Sequence, residues 1–255
     1  MSRSRFELQG SVCLVTGASG GIGRATASCL AKGGAQLVLQ GRSEEDLRRV
    51  AEETGGRRVV LDLTAPGAGE FLFGEAKRLS GRVDVVVSNA GAGWAGAFAE
   101  MPPELIQSLT TLNVIAPISL ARAALPDMIA SGRGRIVFVS SIAGYFGVGG
   151  EAVYSANKAA ILALAESLRA EMVGTGVAVS VVSPTVVDTP FFSRRGSPYR
   201  RSWPRPMPPE RVAAAICRAI RDGRPETIVP SRMGAAVKVR ALMPSLYRAL
   251  ADRFT

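Results

Sequence analysis

Short apolar runs alternate with amphipathic stretches throughout the chain. The apolar runs are rich in valine, isoleucine and leucine, which is typical of strands buried on both faces of a parallel sheet. The stretches between them have helical composition. Strands are predicted at residues 11–16, 35–40, 57–61, 83–88, 135–140, 177–182 and 226–229. Helices are predicted at residues 24–32, 43–54, 67–79, 153–172 and 209–221, and a long helical region with proline breaks at about 102–130.

This alternation predicts an α/β fold with a single doubly wound parallel β-sheet flanked by helices. A strand, a helix and a second parallel strand connect through a right-handed crossover, which places helices on both faces of the sheet. The 255 residues contain no internal repeat and no sign of a second domain. We therefore expect one domain over residues 1–255, large enough to bury a substantial core.

A glycine-rich turn follows the first predicted strand and opens the first predicted helix. Its sequence is Thr16-Gly-Ala-Ser-Gly-Gly-Ile-Gly23. Such a turn lets the backbone approach a pyrophosphate, and the helix N-terminus supplies amide donors and the positive end of a dipole. A tight turn without a ligand is the alternative, but the position between a strand and a helix favours nucleotide binding.

Tyr154 and Lys158 lie four residues apart on a predicted helix, so that their side chains leave the same face. A free tyrosine has a pKa of about 10 and is a poor acid–base catalyst at neutral pH. A lysine ammonium beside it would favour the phenolate and lower the pKa of the tyrosine. Alone the pair is a weak signal, because a partly buried tyrosine beside a solvated lysine gives the same spacing.

Small polar residues end two further predicted strands. The fourth strand ends in Ser88-Asn-Ala-Gly91, where small residues leave room for a ligand at the carboxyl edge of the sheet. The fifth strand ends in the hydroxyl pair Ser140 and Ser141, and Ser141 precedes Tyr154 by 13 residues (154 − 141). Together with the glycine-rich turn, these segments favour a catalytic role for Tyr154 and Lys158 over a chance surface pair with the same spacing.

In combination, the motifs resemble the short-chain dehydrogenase/reductase superfamily over about residues 8–190. The resemblance implies a Rossmann fold and an oxidoreductase that uses NAD(P) to interconvert a carbonyl and a secondary alcohol. It implies that Tyr154 gives and takes the proton, that Lys158 lowers the pKa of Tyr154 and holds the nicotinamide ribose, and that Ser141 binds the reacting oxygen. Asn113 would help to hold a proton-relay water.

The resemblance also implies a set of cofactor contacts. Asp62 would meet the adenine amino group, and Val187 and Thr189 would approach the carboxamide. The family usually has Pro-Gly after the sixth strand, but Thr185 follows Pro184 here, and threonine resists backbone angles that glycine permits. The implied cofactor-binding residues are Gly17, Ser19, Gly20, Gly21, Ile22, Gly23, Arg42, Asp62, Leu63, Asn89, Ala90, Gly91, Tyr154, Lys158, Pro184, Val187 and Thr189.

The end of the second predicted strand bears on the choice of cofactor. NAD enzymes commonly place an acid there to hydrogen-bond the ribose 2′-hydroxyl. This chain has Gln40, Gly41 and Arg42 instead. An arginine can hold a 2′-phosphate through paired donors, although a solvated surface arginine is the alternative. We expect NADP, with NAD the less favoured cofactor.

Histidine is absent from the chain, and its absence excludes several classes of enzyme. Ser-His-Asp hydrolases, histidine-based metalloproteases and dehydrogenases with an imidazole acid–base group all need it. Cys13, Cys29 and Cys217 have neither metal-site nor disulfide-framework spacing. We therefore expect buried reduced thiols and no metal site.

Hydropathy and charge bear on location and partners. The chain has no strongly apolar stretch of 18 or more residues and no apolar signal core at its N-terminus, so we expect a soluble cytoplasmic protein. The net charge of +10 (31 − 21) would attract anions. No helix-turn-helix, zinc or RNA-binding aromatic signature occurs, so we expect no nucleic-acid partner.

Residues 185–209 fall where the family keeps its substrate loop. Residues 184–209 contain seven of the 15 prolines together with several arginines and aromatic residues, so this part cannot be one regular element. An aromatic wall with a cationic rim could select a hydrophobic substrate that bears an acid group, and a solvated basic loop is the alternative. We expect a hydrophobic ketone or secondary alcohol, lipid-like or polyketide-like, as the substrate.

Residues 233–255 form a basic, amphipathic C-terminal segment. Such a segment could make weak contact with an anionic membrane surface, or it could dock on its own body or on a symmetry mate. The family resemblance implies a homo-oligomer. A catalytically silent NADP-binding regulatory or membrane-surface protein of the same fold is the second functional hypothesis.

Overall fold

Seven parallel strands form one sheet in the computed structural model, which describes residues 5–199 and 204–245. The strands are β1 (Val12–Val15), β2 (Gln36–Gly41), β3 (Arg57–Val60), β4 (Val85–Ser88), β5 (Gly134–Val139), β6 (Val177–Pro184) and β7 (Glu226–Val229). The helices are α1 (Gly21–Lys32), α2 (Glu44–Thr54), α3 (Ala68–Ser80), α4 (Pro103–Thr110), α5 (Ala116–Ala130), α6 (Ala152–Glu171), α7 (Phe191–Arg194), α8 (Pro209–Asp222) and α9 (Met233–Leu242). The predicted fold class is confirmed.

The strand order is β3-β2-β1-β4-β5-β6-β7, so the direction of winding reverses between β1 and β4. At this point the connections leave the sheet on opposite sides, and the carboxyl ends of β1 and β4 border an open crevice. The register pairs Val15 with Leu39 of β2 and with Val87 of β4. The turns that follow these three strands therefore meet at one edge of the sheet.

Apolar side chains fill both faces of the sheet and make two core layers. On one face, Leu30 of α1 and Ile216 of α8 pack against the strands. On the other face, Leu72 of α3, Leu120 of α5 and Ile161 of α6 do the same. Strands enclosed in this way need apolar residues at consecutive positions, which explains the unbroken apolar runs in the sequence.

A short π-helical turn, Thr111–Ile115, joins α4 and α5 into one continuous helical region. The predicted proline breaks are therefore wrong. Pro103 lies in the first turn of α4, where no amide is needed, and Pro117 lies in the first turn of α5. Pro117 has no amide hydrogen to donate to the carbonyl four residues earlier. The wider π-helical turn lies where that hydrogen bond is missing, and the helical region continues through it.

The helical region Pro103–Ala130 is long and apolar enough, by composition alone, to cross a bilayer. Leu120, Ala124 and Met128 from this region lie buried in the core. A core helix of a folded domain meets the same compositional test, but less than half of this apolar window is buried, and Ile106, Ile115, Ile118 and Ile129 are exposed.

Cys29 on α1 and Cys217 on α8 are joined in a disulfide. The expectation of three reduced thiols is therefore wrong for this pair. The two residues are 188 positions apart in the sequence, and only the packing of α1 against α8 brings them together. Cys13 is free and buried in β1, and burial raises the pKa of its thiol to about 12.

The C-terminal segment is described only as far as residue 245. Within that part, α9 has no buried residue, and Val239 and Leu242 are exposed beside Lys238. The other apolar residues of the amphipathic pattern, Leu246, Leu250 and Phe254, lie outside the described residues. Contact of this segment with a membrane surface stays a prediction.

Candidate active site

The glycine-rich turn lies pressed against two other segments at the carboxyl edge of the sheet. Gly17 has a φ of 62°, and a Cβ there would lie 2.9 Å from the Cα of Ala90. A Cβ on Gly23 would lie 2.0 Å from the carbonyl oxygen of Gly17. A Cβ on Gly21 would lie 2.3 Å from Cγ2 of Thr189, in the loop after β6. A Cβ at Gly17 or Gly23 would collide with backbone atoms, and one at Gly21 would collide with the Thr189 side chain, so a side chain at any of the three needs its neighbours to move.

Helix α1 begins in this turn with free donor groups. Gly20 at its N-cap makes no side-chain cap, and no acidic residue lies in its first turn. The first-turn amides of Gly21, Ile22 and Gly23 have no intrahelical acceptors, so they and the positive end of the helix dipole face the crevice. This arrangement is suited to an anion such as a pyrophosphate.

Asn89 and Thr16 fix the turn against the end of β4. The Asn89 side-chain amide donates to the carbonyls of Thr16 (2.9 Å) and Gly17 (3.2 Å). The Thr16 hydroxyl accepts from the backbone amides of Asn89 (2.9 Å) and Ala90 (3.0 Å). These reciprocal bonds hold the two turns in one geometry, while Gly91 beyond them is exposed.

Gln40 holds the same turn in place through its side-chain hydrogen bonds, a role that the sequence analysis missed. Its side-chain oxygen accepts from the amide of Gly17 at 3.0 Å, and its side-chain nitrogen donates to the carbonyl of Leu61 at 2.7 Å. Gln40 is buried, so the two bonds satisfy polar atoms that would otherwise be costly. The available signal was a glutamine placed at the end of an otherwise apolar buried strand.

Arg42 and Asp62 follow the adjacent strands β2 and β3 at the outer end of the crevice. Both are exposed, and Ser19 lies nearby, with its hydroxyl beside Gly41. Asp62 accepts from the amide and the hydroxyl of Thr64, both at 2.8 Å. These bonds, and to a smaller extent the charge of Arg42, lower the pKa of Asp62. Leu63 points into the core.

The guanidinium of Arg42 makes no ion pair in the described part of the chain, whereas Arg24 on α1 is held by Glu53. Arg24 donates to Glu53 through two nitrogens, one of them Nε at 3.1 Å. Between Arg24 and Arg42, Arg42 is therefore the one without an ion-pair partner for an incoming phosphate to replace.

Asn113 lies in the π-helical turn and is buried. Its side-chain nitrogen donates to the carbonyls of Ala92 (2.9 Å) and Leu109 (2.8 Å). Its Oδ1 has no partner among the described residues and lies 2.8 Å from where a Cβ of Gly91 would be. The unusual turn thus directs a spare acceptor toward the crevice, as π-turns at functional sites often do.

Ser141, Tyr154 and Lys158 meet where β5 ends and α6 begins. The Ser141 hydroxyl accepts from the amide of Ala143 at 3.2 Å, and it lies near enough to the Tyr154 hydroxyl to lower the pKa of Tyr154. Lys158 is buried and donates from Nζ to the carbonyl of Val139 at 3.1 Å. Its Nζ lies 5.6 Å from the centre of the Tyr154 ring.

The pKa of Tyr154 is shifted in the direction opposite to the one expected from the sequence. Burial is the largest effect and raises the pKa of Tyr154 to about 12. The Ser141 hydroxyl and the charge of Arg195 lower this pKa, and the charge of Glu151 raises it. Burial also lowers the pKa of Lys158 to about 8. The loss of hydration outweighs any help from the lysine, whose donor is directed to a backbone carbonyl.

Three cofactor residues were predicted at the end of β6 and in the loop after it, and of these Thr189 has its side chain at the crevice. Thr189 lies against Gly21, and its hydroxyl accepts from the amide of Phe191 at 3.4 Å. Pro184 is buried and pairs with β7, and Val187 is buried and pairs with Met207. Thr185 has no left-handed backbone angle, so replacement of the family's glycine introduces no such strain.

Aromatic rings continue from Tyr154 along the loop that contains α7. The ring centroids lie 5.4 Å apart for Tyr154 and Phe191, 5.5 Å for Phe191 and Phe192, and 5.3 Å for Phe192 and Tyr199. Phe191 also lies against Gly93, where a Cβ would be 2.9 Å from its ring. Residues 93–96 were missed by the sequence analysis, although Trp94 directly after the Asn-Ala-Gly segment was an available signal.

The residues at this edge of the sheet fit a nicotinamide dinucleotide. The turn has no side chains where a pyrophosphate would need close approach, the helix above it is uncapped, and Arg42 is available at the outer end. The crevice continues to Ser141 and Tyr154, where a hydroxyl pair could hold a reacting oxygen. No group of three or more metal-ligating side chains occurs in residues 5–199 and 204–245.

Comparison with known proteins agrees with this geometry. The family model for short chain dehydrogenases matches residues 11–199. Ketoacyl reductase HetN from Nostoc sp. is 36% identical over 232 residues, which cover 87% of this chain and 79% of that protein.

Solved structures of similar proteins contain either nicotinamide cofactor. A short-chain dehydrogenase from Sphingobium yanoikuyae in complex with NADPH is 30% identical, with a TM-score of 0.80 over 92% of this chain and 96% of that chain. An enzyme from Burkholderia phymatum in complex with NAD is 24% identical and has the same fold, with a TM-score of 0.85 over 94% of this chain and 96% of that one. The ordered motifs, the sheet topology and these matches agree, and the chain belongs to the short chain dehydrogenase family.

Proposed function

We propose that this oxidoreductase uses NADPH to reduce the carbonyl group of a hydrophobic molecule to a secondary alcohol. The observation that carries the proposal is the position of Tyr154 and Ser141. Both side chains lie where the glycine-rich crevice meets the aromatic rings of the α7 loop, and the Ser141 hydroxyl lowers the pKa of Tyr154. A substrate on the rings would therefore present its oxygen to Tyr154 and Ser141.

Tyr154 acts as the proton donor. With a pKa of about 12, its hydroxyl is protonated at neutral pH, which is the state that reduction requires. Ser141 orients the carbonyl oxygen beside that proton, since its hydroxyl is fixed by the amide of Ala143. The reduced nicotinamide, when bound, supplies the hydride to the carbonyl carbon.

Lys158 and Asn113 prepare the site around Tyr154. The buried ammonium of Lys158, with a pKa of about 8, is a donor for a ribose hydroxyl as well as for Val139. The free Oδ1 of Asn113 can accept a hydrogen bond from a water that returns a proton toward Lys158. Their common neighbour Gly91 lies close to both, at 2.8 Å from Asn113 Oδ1 and 3.4 Å from Lys158 Nζ for a Cβ built there.

NADPH is the proposed cofactor because Arg42 is available while Arg24 is not. A guanidinium without an ion-pair partner at the end of β2 can hold the 2′-phosphate by two parallel donors. An acid that would favour NAD is absent from that position, which Gln40 occupies as a brace. The NADPH complex of the Sphingobium relative supports this choice.

The substrate class follows from the walls of the cleft. Phe191, Phe192 and Trp94 supply apolar area, whereas a sugar would need several fixed hydrogen-bonding groups. The name of the Nostoc relative, a ketoacyl reductase, is consistent with a carbonyl on an apolar chain.

The experiment is a substrate screen with purified protein and NADPH, followed by absorbance of the reduced nicotinamide. Long-chain and polycyclic ketones should be reduced, and sugars and short polar aldehydes should not. Turnover confined to the polar set would refute the substrate class. Binding of NADPH without turnover of any carbonyl would favour the alternative, a silent cofactor-binding protein of the same fold.

A further inference from the structure

Arg195 and Glu151 form a buried ion pair beside Tyr154. The guanidinium of Arg195 donates to the Glu151 carboxylate, and their side chains are only 8% and 16% exposed. Arg195 Nε also donates to the carbonyl of Ser197 at 3.1 Å, and its guanidinium lies 4.6 Å from the centre of the Phe192 ring. The neighbouring basic residue Arg194 is exposed to solvent.

The ion pair stands where three separate segments join around the reacting hydroxyl. Glu151 is the N-cap of α6, three residues before Tyr154, and Arg195 is the C-cap of α7. The carbonyl of Arg195 accepts from the amide of Ala95 at 3.3 Å. The amide of Gly96 donates to the carbonyl of Gly150 at 3.0 Å. Residues 93–96, 150–151 and 191–195 thus form one continuous wall.

The charge of this wall is balanced by the pair itself. A buried arginine next to a substrate cleft is a strong receptor for a carboxylate, because its donors are aligned and the surroundings are poorly hydrated. Here the Glu151 carboxylate already accepts from one terminal nitrogen of Arg195 and neutralises its charge, while the carbonyl of Ser197 accepts from Nε. A substrate acid would have to compete with Glu151 and would leave that carboxylate buried without its partner, which is costly.

We propose that Glu151 is a specificity-determining residue, which occupies Arg195 and so makes the cleft select carbonyl substrates that lack an acid group near the carbonyl. This inference rests on the proposed function, because it assumes that a carbonyl substrate binds in this cleft. It assigns the aromatic wall to neutral molecules and excludes the acid-bearing substrate that a row of basic residues in this loop suggests. Removing the charge of Glu151 should turn Arg195 into a carboxylate receptor.

The test compares a carboxylate with its neutral amide. Benzoate and benzamide are titrated calorimetrically into the protein saturated with NADP⁺, for the wild type and for Glu151→Gln. The wild type should bind benzamide at least as tightly as benzoate. Glu151→Gln should bind benzoate about tenfold more tightly than the wild type does, which is the effect of one charge-assisted contact, with benzamide unchanged.

A double variant tests whether Arg195 is the group that binds the carboxylate. Glu151→Gln/Arg195→Met should lose the gain in benzoate affinity. Glu151→Asp keeps the charge on a shorter side chain, so it should give a smaller gain and it serves if Glu151→Gln does not fold. Glu166→Gln is the matched control, an exposed glutamate on the same helix 12 residues beyond Tyr154 (166 − 154), or about 18 Å along the axis. It should change neither affinity.

Turnover gives an independent readout. The wild type should prefer methyl benzoylformate to benzoylformate by kcat/KM, and Glu151→Gln should shift this ratio toward the acid mainly through a lower KM. A wild type that already prefers benzoate and benzoylformate, or variants at Glu151 that gain nothing for either acid, would overturn the inference. A wild type that reduces no ketone would overturn the proposed reaction instead, and the binding titration would still decide the role of Glu151.

Discussion

The two halves of the candidate active site are formed by different kinds of chemical group. The cofactor half consists of backbone and small polar groups, in which glycines at 17, 21 and 23 pack against their neighbours and Asn89 and Gln40 brace the turn. The substrate half consists of large side chains, with Phe191, Phe192 and Tyr154 in a row and an ion pair between Arg195 and Glu151 behind them.

The difference explains how one fold can keep its cofactor while its substrate changes. In the cofactor half a methyl group added at Gly17 or Gly23 collides with backbone atoms, so few sequences are compatible with that geometry. In the substrate half, side chains from three distant segments meet, and each can be exchanged without disturbing the sheet. Variants that affect one half only can therefore test whether the two halves are independent.

The largest effect is expected from Tyr154→Phe. The variant keeps the ring contact with Phe191 and removes only the hydroxyl, so turnover should fall by about a hundred- to ten-thousand-fold, the usual contribution of a general acid. NADPH affinity should remain nearly unchanged. Steady-state rates and a fluorescence titration of NADPH measure both quantities. The control is Tyr145→Phe, which removes a hydroxyl bonded to Glu226 and should retain activity. Turnover of Tyr154→Phe at the wild-type rate would refute the mechanism.

Arg42→Asp should change the cofactor half alone. Loss of a charged contact with the 2′-phosphate removes about 1.5–3 kcal/mol, so the ratio of NADP to NAD affinity should fall by about ten- to a hundred-fold. Titration with both cofactors measures the ratio. Arg218→Asp makes the same change of charge on the exposed surface of α8 and should leave it unaltered. An unchanged ratio in Arg42→Asp would mean that another cation, with Arg24 the first to test, reads the phosphate.

Gly23→Ala tests whether the cofactor half is closed to side chains. The new Cβ would lie 2.0 Å from the carbonyl oxygen of Gly17, so the turn must shift, at a cost of about 1–3 kcal/mol in cofactor affinity or stability. Gly74→Ala places the same methyl group on α3, where nothing lies within 4 Å, and it should be neutral or slightly stabilising. Equal NADPH affinity and equal Tm in the two variants would contradict the close packing inferred for the turn.

The smallest effect concerns the charge of Lys158 between the two halves. Its pKa in the folded protein is about 8, below its ordinary value of 10.5, so the unfolded chain binds the proton more tightly between these values. The stability of the wild type relative to Lys158→Met should therefore rise with pH, by on the order of 1 kcal/mol between about pH 7 and pH 9. Below pH 8 the cost of the buried ammonium is fully present.

Urea unfolding at several pH values measures that difference. The buried thiol of Cys13 has its pKa raised from 9.0 to about 12, which lowers stability at alkaline pH, but it is common to both proteins and cancels. A difference that stays flat or falls across this range would show that the Lys158 ammonium is better compensated than its burial implies.

Much of the fold and of the cofactor half could be predicted from the sequence. The strand and helix positions agreed to within a few residues, because apolar runs and helical periodicity depend on neighbours along the chain. The helix predicted from residue 43 is capped by Ser43, whose hydroxyl accepts from the amide of Asp46. The proline breaks between α4 and α5 were wrong, since the structure accommodates Pro117 with a wider turn.

Local spacing along the chain was enough to predict the order of the elements, the glycine-rich turn and the placement of Tyr154 and Lys158 on one helix. Tertiary structure alone decided that Cys29 meets Cys217, that Glu151 occupies Arg195, and that the pKa of Tyr154 rises. The physical reason is the same in each case. Burial and pairing depend on atoms contributed by segments far apart in the chain, and the loss of hydration around a charge or a hydroxyl appears only once those segments have packed.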